Sequence, residues 1–214
     1  MKTLFLFDMD GTLTPPRQPM PINIEIMLGK IQLEGHDVGI ITGSDMNYIK
    51  QQCSKLFDMS LMNTEEVHFL PCNGTKYIHN GRTIYSNNMK DKMGVDQWRL
   101  LMVHLLSLQN QLCYETHSAF PLTGHFFNYR GSMLNWCPIG RNATTEDRKL
   151  WEELDKDGKL RKPLLDKIRE FTSPLQMDLS IKLGGDTSFD IYPFGWDKTY
   201  PLVETDCFDD FDKI

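Results

Sequence analysis

Two carboxylates one residue apart, Asp8 and Asp10, follow the apolar run Leu4-Phe5-Leu6-Phe7 and precede Gly11-Thr12. An apolar run leading into a polar turn reads as a strand buried on both faces and ending at its carboxyl edge. Open α/β sheets bind ligands at that edge. On an ideal strand the two carboxylates face the same way, so they repel unless something cationic lies between them. Mg²⁺ suits the place, as a hard cation held by one or two carboxylates together with substrate phosphate oxygens. Three arginines, Arg130, Arg141 and Arg148, fall within one short part of the chain. A turn arginine and a helix N-terminal arginine can converge with backbone N–H groups on an anion, and the planar guanidinium grips phosphate bidentately. From charge alone, three surface arginines paired with Glu146, Glu152 or similar residues are the favoured outcome.

Other residues fit the same chemistry. Arg17, in the proline-rich Thr14–Pro19 loop, is either a solvated arginine or a phosphate clamp. Thr42 and Ser44 end a second apolar run, Val38–Ile41, where a hydroxyl and backbone N–H groups at a strand-to-helix turn suit a phosphate oxygen. The sequence does not choose between them, and one of the two is expected to cap the helix Met46–Leu56. Ser188 and Asp190 share one face of an alternating strand, with Phe189 and Ile191 on the other. A hydroxyl beside a carboxylate suits sugar hydroxyls. Lys198, after Gly195-Trp196-Asp197, would bring a point charge near the aspartates.

The elements that must position these residues can be read from periodicity. Ile24, Met27, Leu28 and Ile31 predict a helix after the first loop, and Phe69–Gly74 a strand and turn. From about Gly81 the pattern changes. Val95, Trp98, Leu101, Met102, Leu105 and Leu108 predict one amphipathic helix, and Phe126–Cys137 a strand pair turning at Arg130-Gly131-Ser132. Thr144–Asp155 reads as a helix with Thr144 as N-cap and Asp147 in its first turn. Leu160, Leu164, Ile168 and Phe171 predict another helix, and Met177, Leu179 and Ile181 a strand. This middle block lacks a repeating βαβ order and reads as an α+β domain inserted into the first.

The 214 residues are 40% hydrophobic, which suffices for one or two domains with a real core. A net charge of −6 with no basic stripe argues against a nucleic-acid surface. Five scattered cysteines, odd in number and without a CxxC pair, read as reduced thiols. No signal-peptide pattern and no apolar run approaching about 18 residues is found, so a soluble cytoplasmic chain without a membrane partner is expected.

Leu4 to Thr14 resembles motif one of the haloacid dehalogenase superfamily of phosphotransferases. That resemblance implies Asp8 as the nucleophile that takes the phosphoryl group and Asp10 as the general acid and base. The strings PRQ (Arg17), YRGSMLNWCPIGR (Tyr129–Arg141), TTEDR (ending at Arg148), ELDK (Glu153–Lys156) and SFDIYPFGWDK (Ser188–Lys198) are similar to the eukaryotic-type phosphomannomutases. The resemblance implies a Rossmann-like parallel-sheet core over residues 1–80 and 185–214, with an α+β cap over 81–184. It implies that Arg17, Arg130, Arg141 and Arg148 hold the phosphate that is not reacting, that Ser188 and Asp190 contact the sugar, and that Lys198 is motif three. It further implies Mg²⁺ at Asp8 and Asp10, a hexose 1,6-bisphosphate activator, a homodimer through the cap, and interconversion of mannose 6-phosphate and mannose 1-phosphate for GDP-mannose synthesis.

In that family the chain continues past the position of Ile214 into an apolar strand and a loop of the form GDxxxxxND, whose aspartate completes the metal site. Asp206, Asp209, Asp210 and Asp212 lie in a polar stretch before it and are poor substitutes. A fragment of a longer protein, or a shortened relative, is therefore expected, with an apolar edge bared beside the first strand. Two other functions compete. A sugar-phosphate phosphatase would need no second phosphate site, so the arginines argue against it. For a non-enzymatic relative that binds sugar phosphate or a partner subunit, the absent last motif argues in favour, and an intact Asp8, Asp10 and Lys198 argue against.

Overall fold

A computed structural model of the chain describes residues 2–15, 18–58, 62–115 and 120–214. The two apolar runs at the start form parallel strands, β1 (Leu4–Asp8) and β2 (Asp37–Ile41), joined through helix α1 (Ile22–Leu33). Leu6 lies opposite Gly39, and a Cβ on that glycine would stand 2.4 Å from Leu6 Cδ2, so the leucine end fills the space that the glycine leaves. Helices α2 (Met46–Gln52) and α3 (Lys55–Asp58) lead to β3 (His68–Leu70), which is again parallel. β4 (Lys76–His79) and β5 (Arg82–Ser86) then add antiparallel, giving the order β1-β2-β3-β4-β5.

Period-two alternation divides the core between the two faces of this sheet. Val38, Ile40 and Phe69 pack with Leu28 of α1 and Ile49 of α2. Ile41, Leu70 and Tyr77 pack with Leu4 and with Phe208 from the C-terminal stretch.

Two sequence expectations are corrected here. β1 is not buried on both faces: it is the outermost strand, and Phe5 is 39% exposed. Among the described residues its start alone is paired on the outer side, where Leu4 N–H donates to Lys213 O at 2.9 Å and Asp212 N–H to Lys2 O at 3.0 Å. The helix expected over Met46–Leu56 is broken after Gln52, and α3 starts separately at Lys55. Along α1, Met27 turns outward to solvent while Leu28 is buried.

The chain divides into two compact units, Met1–Asn87 with Gly195–Ile214, and Asn88–Phe194. The second contains α4 (Met89–Met93), α5 (Val95–Glu115), β6 (Phe127–Tyr129), β7 (Leu134–Trp136), α6 (Thr145–Leu154), α7 (Arg161–Thr172), β8 (Leu179–Gly184) and β9 (Ser188–Pro193). Its antiparallel sheet runs β6-β7-β9-β8. These borders differ from those expected, because β5 pairs with β4 of the first unit and β9 pairs with both β7 and β8 of the second. Ser188 and Asp190 therefore belong to the same unit as Arg130, Arg141 and Arg148.

One face of the second sheet is apolar. Trp136 stacks on Phe189 with ring centroids 4.8 Å apart, and its Nε1–H donates to Gln109 Oε1 on α5 at 2.7 Å. Leu101, Leu105, Leu108 and Leu112 line the buried side of α5, whereas Val95, included in the expected stripe, is exposed. Helix α6 starts as the sequence indicates. Thr144 Oγ1 accepts from Asp147 N–H at 3.1 Å while Thr144 N–H donates to Asp147 Oδ2 at 2.9 Å, a reciprocal capping box.

Candidate active site

In the first unit β1 stops at Asp8, and the next residues curl into a tight loop. Met9 O accepts from the backbone N–H groups of Thr12, Leu13 and Thr14, and Gly11 takes the left-handed φ of +82° that this loop requires. Asp8 and Asp10 are therefore not successive residues of one strand face, as an ideal strand would have them; Asp10 is presented on the exposed loop. Asp8 Oδ1 accepts from its neighbour Met9 N–H at 2.8 Å and from Lys198 Nζ at 2.7 Å. Lys198 is placed by a turn in which Asp197 Oδ1 accepts from Thr199 N–H at 3.0 Å and Thr199 Oγ1–H at 2.7 Å. Asn73, at a positive φ of 60°, reaches the same segment through a 3.5 Å contact from Nδ2 to Trp196 O.

The turn after β2 also departs from expectation. The N-cap of α2 is Asp45, whose Oδ1 accepts from Tyr48 N–H at 2.9 Å, rather than Thr42 or Ser44. Thr42 is buried, with Oγ1 accepting from Ser44 N–H at 3.1 Å, whereas Ser44 is half-buried. The cap aims Tyr48 so that its hydroxyl donates to Asp10 Oδ1 at 3.2 Å, a contact the sequence reading did not anticipate. Cys53 lies close enough to feel Asp10: burial, and then that carboxylate, push its thiol up to about 11, so it stays protonated and is no nucleophile. Arg17 lies outside the described residues.

Two carboxylates are a donor set that Mg²⁺ accepts alongside phosphate oxygens and water. Among the described residues no cluster of three or more His, Cys, Asp or Glu adds a closed metal cage. The residues present thus fit an open Mg²⁺ site completed by substrate.

In the second unit the polar face of the sheet carries the other candidates. One register row across all four strands reads Asn128, Asn135, Asp190, Lys182. Arg141 Nη1 donates to Asn135 Oδ1 at 2.9 Å, and Arg148 Nη1, from the first turns of α6, donates to Thr187 Oγ1 at 3.0 Å. Arg148 thereby reaches the residue just before β9, which bears Ser188 and Asp190, while Arg141 reaches Asn135 on the neighbouring strand β7. Arg130 follows β6, with Nη1 3.8 Å from Met133 Sδ. Gly140, at φ +89°, turns the chain into Arg141, and a Cβ there would lie 2.2 Å from Gly124 O. Asn135, Thr187 and Gly184 were not read as site residues. The available signal was a lone asparagine between Leu134 and Trp136, hence on the opposite face from both.

The architecture has counterparts of known structure. It is similar to the C-terminal domain of trehalose-6-phosphate phosphatase from C. albicans, with a TM-score of 0.56 and 17% identity over 95% of this chain and 62% of that one. It is also similar to a haloacid dehalogenase-like hydrolase from Bacteroides thetaiotaomicron, with a TM-score of 0.53 and 14% identity over 94% of this chain and 75% of that one. At such identity the likeness defines the fold alone, a haloacid dehalogenase-type α/β core.

Sequence relationships are more specific. The profile of the family described as eukaryotic phosphomannomutase matches residues 26–214. A phosphomannomutase from Oryza sativa subsp. indica is 35% identical over 201 residues, which are 93% of this chain and 75% of that protein. One from Drosophila melanogaster is 31% identical over 212 residues, 99% of this chain and 79% of that protein. The chain belongs to the eukaryotic phosphomannomutase family and is of that enzyme type.

Proposed function

We propose that this protein interconverts mannose 6-phosphate and mannose 1-phosphate through a phosphorylated Asp8. The observation that carries this reading is the pairing of Asp8 Oδ1 with Lys198 Nζ at 2.7 Å at the end of a parallel strand. Asp8 attacks one phosphorus of a bound hexose 1,6-bisphosphate, and the sugar oxygen leaves with a proton from Asp10. The phosphorylated enzyme then takes a substrate hexose monophosphate. Asp10 removes a proton from the free hydroxyl of that sugar, whose oxygen accepts the phosphoryl group from Asp8, and the bisphosphate so formed turns round to present its other phosphorus to Asp8. Lys198 offsets charge on the moving phosphoryl, and the half-buried Ser44, beside the buried Thr42, is assigned to a phosphate oxygen. Asp8 and Asp10 would hold Mg²⁺, which when bound supplies further charge neutralisation at the phosphate.

A mutase must bind a bisphosphate in either direction, so it needs a second anion site away from its nucleophile. Arg130, Arg141 and Arg148 of the second unit, with Arg17, are assigned to it, and Ser188 and Asp190 to the sugar hydroxyls. Residues Leu100, Val103, Leu106 and Tyr114 form an exposed, largely apolar stripe on α5, which supports self-association through this unit. All five cysteines are thiols, which supports residence in the cytoplasm and the supply of mannose 1-phosphate to GDP-mannose synthesis there.

The test is a coupled assay of the purified chain with mannose 1-phosphate, Mg²⁺ and glucose 1,6-bisphosphate, beside Asp8→Asn. Mannose 6-phosphate formed by the parent and not by the variant is expected. Inorganic phosphate as the product would replace the mutase by a phosphatase, and a folded chain without either product would remove the activity.

A further inference from the structure

We propose that Asn135 is a positioning residue that locks the phosphate-binding and sugar-binding halves of the second unit into one rigid element; this rests on the roles just assigned to Arg141, Ser188 and Asp190. Its side chain is only 3% exposed, on the central strand β7, directly opposite Asp190. Oδ1 accepts from Arg141 Nη1 at 2.9 Å, while Nδ2 donates to Ser188 Oγ at 3.0 Å and Asp190 Oδ1 at 2.8 Å, with Phe189 O further off at 3.4 Å. The amide cannot be turned over, because a guanidinium only donates and an ionised carboxylate only accepts. Asparagine is the one short side chain that offers an acceptor to one side and two donors to the other.

The surroundings leave these groups one arrangement. Leu134 and Trp136, fully buried on the other face, fix the strand to either side of Asn135. Ser188 Oγ–H is committed to Gly184 O at 2.6 Å, so with Nδ2 on one lone pair the oxygen can only accept from a ligand. A Cβ on Gly184 would lie 2.7 Å from Asp190 Oδ2, so the bare glycine leaves the room that this carboxylate occupies. Ser188 and Asp190 thus present acceptors alone, suited to hydroxyl donors and hostile to an anion. Arg141 on the other side presents donors alone. Asn135 sets the spacing and polarity between them, and so decides which end of a hexose phosphate lies where.

Calorimetric titration of the full chain with mannose 1-phosphate at pH 7.5 tests this without requiring turnover. Asn135→Ala is expected to weaken binding about tenfold, since it unseats a buried hydrogen-bonded pair. Combined with Asp190→Ala, the loss should fall short of the product of the two single losses, because Asn135 acts through Asp190. The isosteric Asn135→Asp, which guards against a variant that fails to fold, places a carboxylate against Asp190. Its affinity, taken relative to the parent at each pH, should recover between pH 7.5 and pH 5 as one proton becomes shared. Asn135→Ala should show no such recovery. Unchanged affinity in Asn135→Asp at pH 7.5, or losses that multiply in the double variant, would overturn the proposal while leaving the mutase reading in place. A folded parent that binds no mannose 1-phosphate would overturn both.

Discussion

Lys198 and Asp8 meet at 2.7 Å with side chains 44% and 40% exposed, so their attraction is that of a surface ion pair. Such a pair contributes roughly 0–1 kcal/mol to folding. Its weakness suits the proposed reaction, since the lysine can turn to an incoming phosphate at little loss. Lys198→Met is therefore expected to lower turnover by about a hundredfold or more. Its melting temperature should stay within about 4 °C of the parent, as the pair is worth so little to the fold. A comparable fall in both would make Lys198 a structural residue instead. Gly184 makes the opposite case, a residue with no functional group whose absence of a side chain matters. Because an added Cβ would stand 2.9 Å from Ser188 Oγ as well as crowding Asp190, Gly184→Ala should weaken mannose 1-phosphate binding several-fold. Titration of the two proteins side by side checks this, and equal affinities would mean that the two side chains can shift without consequence.

At the level of elements, legibility followed the range of the interactions involved. Helices α5, α6 and α7 of the second unit were readable because their apolar stripes and the cap at Thr144 are local features, whereas the short α4 was not read. The break between α2 and α3 was not, nor was Asp45 as the cap in place of Thr42 or Ser44, since an N-cap is chosen by the path of the chain leaving β2. β1 read as doubly buried because its composition is apolar, but burial of a strand depends on its place in the sheet order, which no local pattern records. The roles of Asn135 and Tyr48 rest on hydrogen bonds across registers and turns, and so were invisible. Helix α6 joins the two kinds of information. Its capping box is local, whereas the contact from Arg148 to Thr187 at 3.0 Å is not. Thr144→Ala removes the acceptor for Asp147 N–H, a loss of about 0.5–2 kcal/mol. The second unit should melt a few degrees lower, and mannose 1-phosphate affinity should fall with it as the first turns of α6 loosen. An unchanged affinity in a destabilised variant would separate the cap from the site.

On the scale of the whole first unit, the N-terminus, the sheet and the C-terminal stretch meet at one aromatic cluster around His68. Its ring stacks on His79 with centroids 4.1 Å apart and lies near Phe208 and Phe211. Nδ1 is 2.7 Å from the Tyr77 hydroxyl, and Nε2 is 3.2 Å from Asp37 Oδ2, which also pairs with Lys2 Nζ at 3.2 Å. Burial first, and then the neighbouring His79, lower His68 from 6.5 to about 4, despite the opposing pull of Asp37. The imidazole is thus neutral in the folded protein at pH values where the unfolded chain already binds a proton. Stability from this group is fully present above pH 6.5 and is lost as pH falls toward 4, because the unfolded state then takes up more protons. Between pH 7 and 5 the loss should be up to about 2 kcal/mol, or roughly 4–8 °C in melting temperature. His68→Gln keeps a polar group of similar reach but cannot titrate, so its melting temperature should vary less over that interval than the parent's. Parallel melting curves at pH 5, 6 and 7 decide the matter. If the two proteins lose stability equally on acidification, the proton is taken up elsewhere, and this cluster does not set the acid limit of the unit.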